Sequence, residues 1–248
     1  MKHLKIVLSP AKSLKLSKND GELSNQKPHF LKESRQLHSF LKTLDAMHLQ
    51  ELMSISPKIA AEVMGFTKHW KKDFSYQAVS LFDGEVYRGL DVATMDANAL
   101  DWMEGHLNIL SGLYGVLRPF DVIAPYRLEM KTKIILDEPT TLYRFWGDKI
   151  AKYLSKESDV LVNLASEEYS KAILPYWNKE QVINPIFLED NGDKPKMVMM
   201  YAKNARGKMA RFIIDHRIEN PSFIKAFDLD GYAFSAEKSQ GNDWVFLR

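Results

Sequence analysis

No cysteine occurs anywhere in the 248 residues. Disulfides, thiol peroxidase chemistry, Cys-ligated zinc and Cys-ligated iron–sulfur clusters are therefore excluded. No apolar run approaches the roughly 20 residues that a helix needs to cross a bilayer. The apolar start Ile6-Val7-Leu8 is only a strand's length, too short for a secretory signal. A cytoplasmic protein with no membrane partner is expected. Charge of one sign is also lacking: 34 Lys and Arg against 32 Asp and Glu give +2, so clusters of charge matter and the sum does not. The chain has no G-x-x-x-x-G-K-[ST], no G-x-G-x-x-G, no H-E-x-x-H and no EF-hand loop. His3, His29, His38, His48, His69, His106 and His216 show no metal-ligand spacing, so neither cofactor nor metal is expected. The same lack of clustered His and carboxylates argues against an iron-handling site.

What is present reads as one ordinary globular domain over residues 1–248, with 45% hydrophobic and 27% charged residues and neither repeat nor linker. Residues 5–8 read as a buried strand ending in Ser9-Pro10-Ala11-Lys12. That tetrapeptide fits the S-x-x-K of Ser–Lys hydrolases, but their S-D-N and K-T-G partners are missing and Pro10 directly follows the serine. Residues 13–28 look like a loop. Residues 29–55 carry a helical period broken near Thr43 or Asp45, and Ser56-Pro57 starts another helix with Ser as N-cap and Pro in its first position. Ile59, Val63, Phe66 and Trp70 make one apolar stripe on it. Residues 44–70 are thus a helix–hairpin–helix candidate, able to offer backbone N–H groups to a phosphate, or simply a packing unit. The usual hairpin glycine is absent.

Further along, residues 81–87 read as a strand or hairpin around Asp83-Gly84, 96–111 as a helix ended by Gly112, and 133–136 as a short strand. Residues 142–154 read as a helix, 160–164 as a buried strand, and Ser166 as the cap of the next helix. Asn163, Ser166 and Lys171 then sit near the C-terminal end of a strand, where open sheets place ligands. Glu167-Glu168 could supply a base or a metal carboxylate, or be a solvated face. Residues 182–188 and 196–201 are expected to pair across Asn191-Gly192, and 232–234 and 244–247 to add small strands.

Two stretches carry the functional signal. Residues 108–130, NILSGLYGVLRPFDVIAPYRLEM, are expected to leave a helix and run through Arg118-Pro119 and Pro125-Tyr126-Arg127 as ordered irregular backbone. Such a segment either presents working arginines or buries ion-paired ones. Residues 201–217 carry Lys203, Arg206, Lys208, Arg211 and Arg217 against the single Asp215. On a helix, Met209, Phe212, Ile213 and His216 would face inward and Lys208 and Arg211 outward. This is a patch suited to phosphate contacts or a solvated charged face.

The blocks Ser9-Pro10-Ala11-Lys12, 110–130, 142–150, 162–173 and 201–217 together resemble the YaaA family of bacterial peroxide-stress proteins. The resemblance runs in order along nearly the whole chain. It implies a mixed α/β (α+β) single-domain fold peculiar to the family, a β-sheet surrounded by helices with a helix–hairpin–helix-like element. It also implies a non-enzymatic cytoplasmic protein that limits free iron and oxidative damage and binds double-stranded or structured DNA largely without reading sequence. The matching basic positions are Lys12, Arg118, Arg127, Lys171, Lys203, Arg206 and Lys208, with Arg211 beside them on the basic helix. A monomer is favoured. The alternative is an enzyme on a nucleic acid or nucleotide, with Arg118, Arg127, Lys203 and Arg206 as a phosphate clamp.

Overall fold

Residues Leu4–Leu8 form strand β1, and all five are buried, which is why no polar residue alternates along it except Lys5. The Lys5 ammonium is satisfied by the Gly105 carbonyl at 2.6 Å and Glu157 at 2.9 Å. The computed structural model describes residues 4–17, 26–71, 73–136, 138–192 and 194–248. Residues 18–25 of the loop expected at 13–28 lie outside the described residues, and Ser13–Leu14 is a short strand, β2. The capped segment that follows gives helices α1 (Leu31–Leu41), α2 (Ala46–Met53) and α3 (Pro57–His69). The Asp45 carboxylate accepts from His48 N at 2.9 Å, and Ser56 Oγ accepts from Ile59 N at 3.4 Å with Pro57 in the first turn. Ser54 takes the left-handed φ of 52° that a glycine would supply more easily, and so closes the turn between α2 and α3 without one.

Next come β3 (Tyr76–Gln77), α4 (Ala78–Leu81), β4 (Phe82–Asp83) and α5 (Glu85–Leu90), so of the strand or hairpin expected at 81–87 a two-residue strand forms, no hairpin does, and a helix follows. β4 pairs with the distant β2, not across Asp83-Gly84. Helix α6 (Ala97–His106), capped by Asp96, also stops short of Gly112, because Leu107–Ser111 is strand β5. Five consecutive buried residues with strands on both sides favour sheet over a continued helix. β6 (Gly115–Leu117) turns back on β5, and Gly115, at φ 71°, leaves room for Trp146, whose ring a Cβ there would meet at 2.8 Å. β7 (Val122–Ile123) pairs with β3, and β8 (Lys133–Ile135) with β9 (Pro139–Thr141). The helix expected over 142–154 is two, α7 (Leu142–Trp146) and α8 (Lys149–Ser155), parted by Gly147 at φ 49°.

The chain closes with β10 (Val160–Asn163), α9 (Glu167–Ser170), β11 (Val182–Leu188), α10 (Met199–Asp215), β12 (Ala233–Gln240) and β13 (Asp243–Leu247). Residues 196–201 supply only an isolated bridge, Glu189 to Lys196, before α10 begins. The inward face of α10 also differs from expectation. Met209 and Ile213 are buried, but His216 is exposed and spends its ring nitrogen on the Phe212 carbonyl.

Seven strands make one mixed sheet in the order β12-β13-β11-β10-β1-β5-β6. β1 is parallel to both β5 and β10, β10 to β11 and β11 to β13, while β6 and β12 are antiparallel edges. The connection after β1 builds outward to β5 and the later chain builds the opposite way through β10 and β11. The switch in direction therefore falls between β1 and β10, whose C-terminal ends lead into Ser9 and Ser166. The fold is mixed α/β, with one hydrophobic core joining both faces of the sheet. Among the described residues no helix is long and apolar enough to cross a membrane.

Candidate nucleic-acid interface

At the switch between β1 and β10, Ser9 Oγ donates to Ser166 Oγ at 3.1 Å and accepts from Ser166 N at 2.8 Å. The Tyr87 hydroxyl donates to the Ser9 carbonyl at 2.9 Å. The serine hydroxyl thus ties the two strand ends together, and Lys12 turns away to Glu129, 3.0 Å from its ammonium. The nucleophile–base pair that a Ser–Lys hydrolase needs is not formed.

Glu129 belongs to a segment that the central stretch holds rigid. Tyr126 hydrogen-bonds Ser111 Oγ at 2.6 Å and packs edge-on to Tyr114 at 5.2 Å. From there Leu128, Met130, Thr132 and Ile134 are buried, and Arg127, the buried Glu129, Lys131, Thr132 and Lys133 line a cleft of about 640 Å³. Lys12 joins them from beyond the end of β1, and Phe40, Leu44, His48, Glu51, Met53 and Ser54 of the α1–α2 region form the opposite wall. Lys131 lies 3.3 Å from Glu129 and Arg127 3.8 Å. Burial opposes ionisation of Glu129, but Lys12 and Lys131 outweigh it and hold the carboxyl below its ordinary value. The Arg127 Nε is buried with no hydrogen-bond partner among the described residues.

This sets a pH signature. Because the folded value of Glu129 is depressed, its contribution to stability is present above the unfolded value near 4.5 and lost as pH falls through the folded one. Glu129→Gln should therefore lower the melting temperature at pH 7 and flatten the acid limb of a melting-temperature profile below about pH 5. Parallel loss of stability in both proteins would show that Lys12 and Lys131 do not stabilise the charged form.

The other expected basic residues are distributed differently. Arg118 is bound into structure, donating to Asp121 at 2.8 Å and to the Lys27 carbonyl at 3.3 Å. Burial raises the Asp121 carboxyl against that pairing. Lys171 pairs with Glu167 at 2.7 Å on the rim of a separate cleft of about 980 Å³ formed with Asn184 and Asp243. On α10, Lys208 is held by Asp230 at 2.6 Å, and Arg211 by Asp215 at 2.7 Å and Thr94 Oγ1 at 2.7 Å. Lys203 and Arg206 stand apart, with neither ion pair nor hydrogen bond among the described residues. Arg206 lies on the inward face of α10, level with the buried Ala202, Met209, Ala210 and Ile213. Partial burial lowers its pKa, as expected for a guanidinium short of water with no anion beside it.

A family model described as peroxide stress protein YaaA matches residues 4–238. The chain belongs to the YaaA peroxide-stress family. It is 44% identical over 252 aligned residues to a UPF0246 protein of Ralstonia nicotianae, covering 98% of each chain. A UPF0246 protein of Flavobacterium johnsoniae is 43% identical, covering 99% of this chain and 100% of the relative, and one of Hahella chejuensis is 41% identical. The match takes in β1, the cleft segment and α10 alike.

Among residues that the basic positions did not point to, Glu129, Lys131 and Lys133 matter most to this family member's cleft. Their signal was the charge alternation itself. Arg127, Glu129, Lys131 and Lys133 recur at every second position with Leu128, Met130 and Ile134 between them, although a turn closed by Thr132 N on the Glu129 carbonyl separates the first two from β8.

Proposed function

We propose that this cytoplasmic, monomeric member of the peroxide-stress family binds double-stranded or structured DNA, largely without reading sequence, and so helps limit oxidative damage. The observation that carries this is Arg206, an arginine on the inward face of α10 with no acid to meet it, beside the equally unpaired Lys203. A guanidinium left without a partner is matched by a phosphate oxygen, which accepts from it with a charge-assisted bond. The second support is the cleft, where Lys12, Arg127, Lys131 and Lys133 meet beside the turn between α2 and α3. The start of α3 beside it is capped by Ser56 and begins with Pro57, which has no N–H, so the lysines and Arg127 supply the phosphate contacts there. The iron-limiting part of the proposal rests on the resemblance to the family alone.

Duplex affinity should fall with salt by a slope of about −0.9 per neutralised phosphate in log–log form. Lys203→Ala with Arg206→Ala should flatten that slope by up to about two units and weaken two unrelated sequences alike. Lys208 is the poorer choice for such a test because Asp230 already holds it. Fluorescence anisotropy at several salt concentrations decides it, and an unchanged slope in the double variant would remove the proposal.

A second reading, an enzyme acting on a nucleotide, is favoured by one feature: an ionised carboxylate, Glu129, sits among the cations of the cleft. Arg118 is no part of such a clamp, being committed to Asp121. Weak, salt-insensitive DNA binding together with turnover of a phosphorylated small molecule would favour this reading.

A further inference from the structure

We infer that the cleft lined by Arg127, Glu129, Lys131 and Lys133 accepts a single unpaired nucleotide, its base inside and its phosphate on the lysine rim. The inference rests on the DNA reading above and names what part of the nucleic acid that cleft takes.

Three observations converge. The cleft is amphipathic: its charged wall faces Phe40, Leu44, Leu52 and Met53, with His48 and Glu51 at the edge of that apolar patch and Ile135 60% exposed. A duplex offers a phosphate site only charge, because its base faces are stacked away. An apolar wall beside phosphate-binding lysines is used when a base leaves the stack and lays its face on the protein. Next, the Arg127 Nε is a buried donor without an acceptor, a costly arrangement in a folded protein unless a ligand completes it. A base carbonyl or ring nitrogen would accept from it. Last, Glu129 is held ionised and meets Arg127 at no closer than 3.8 Å through Oε1. A carboxylate repels a phosphate but accepts from the exocyclic amino or ring N–H of a base. It therefore sorts the nucleotide, base edge toward Glu129 and phosphate toward Lys131 and Lys133, which are exposed at the rim. The volume of about 640 Å³ suits one nucleotide and is far too small for a paired helix.

The test uses the full chain and four probes. These are AMP, inorganic phosphate, and two duplexes of one sequence carrying a central 2-aminopurine either paired or opposite an abasic position. AMP should raise the melting temperature where equal phosphate does not. The duplex with the unpaired base should bind about tenfold more tightly, because its base is already free of the stack, and its 2-aminopurine fluorescence should change on binding. Arg127→Gln should abolish both the AMP response and the preference. Ile135→Glu, at an exposed position that does not threaten folding, should do the same by putting a charge on the apolar wall.

Equal affinity for both duplexes with no fluorescence change would overturn the pocket while leaving salt-dependent DNA binding intact. A phosphate response equal to that of AMP would likewise overturn it, reducing the cleft to an anion contact. An AMP response lost in both variants, with no binding of either duplex, would support the nucleotide pocket and remove the DNA reading instead.

Discussion

Trp70→Ala is expected to cost about 3–5 kcal/mol of folding free energy, the range for deleting a large buried aromatic. Trp70 ends α3 at 3% exposure, stacks on His38 at 4.4 Å and meets Phe74 edge-on at 4.9 Å. Its Nε1 donates to the Tyr114 hydroxyl at 2.9 Å, and that hydroxyl in turn donates to the Ala124 carbonyl. The indole therefore joins the α2–α3 unit to the central stretch, and its removal opens a cavity and takes one of the two donors to the Tyr114 hydroxyl, Ala124 N being the other at 3.2 Å. His38, its pKa lowered by burial, would gain room for water. Urea titration should show the midpoint falling with little change in slope. A loss below about 1 kcal/mol would mean that α3 is not anchored here. Ile59 and Phe66, on the same stripe but only half-buried, should each cost less.

Elements whose chemistry is local were legible in the residues. Ser56-Pro57 could only start a helix, Asp45 lies where the break falls, and the apolar runs of β1 and β10 are bounded by polar turns. Elements decided by a distant partner were not. Residues 107–111 satisfy both a helical period and a buried strand, and only β1 alongside them settles the matter. Residues 82–83 form a strand because Ser13 and Leu14 lie beside them, and Asp83-Gly84, a hairpin signal in isolation, turns instead into α5. Tertiary pairing overrode the local preference in both places.

The site was legible in the same uneven way. Basic residues announce themselves, but their value depends on which acids reach them. Asp121, Asp230 and Asp215 neutralise Arg118, Lys208 and Arg211, and two of these three acids stand within four residues of their partners. Asp230 reaches Lys208 from 22 positions away, which no local pattern reveals. What distinguishes Arg206 from Lys208, two residues on, is therefore not its sequence neighbourhood but the absence of such a visitor.

Gly207→Ala should be among the most damaging single-methyl additions the chain can receive, because α5 and α10 touch backbone to backbone there. A Cβ on Gly207 would overlap the Val86 carbonyl oxygen and lie 2.8 Å from Leu90 N. On the other side, a Cβ on Gly89 would overlap the Asn204 carbonyl oxygen and lie 3.0 Å from Lys208 N. Neither obstacle is the end of a flexible side chain, so the helices themselves must separate. Overpacking usually costs about 1–3 kcal/mol where neighbours can give, and this substitution should reach or exceed the top of that range.

The damage should extend to function. α5 carries Tyr87 onto the Ser9 carbonyl at the switch between β1 and β10, and α10 carries Lys203 and Arg206. Pushing the helices apart should thus weaken DNA binding beyond what lost stability alone explains, measured at a temperature where circular dichroism shows the variant folded. Gly65→Ala is the matched control. That glycine lies within α3 with nothing inside 4 Å of the added methyl, so alanine should stabilise by about 0.5–1 kcal/mol through helix propensity. If Gly207→Ala and Gly65→Ala shift the melting temperature by similar amounts in the same direction, the close helix contact does not set the position of Arg206.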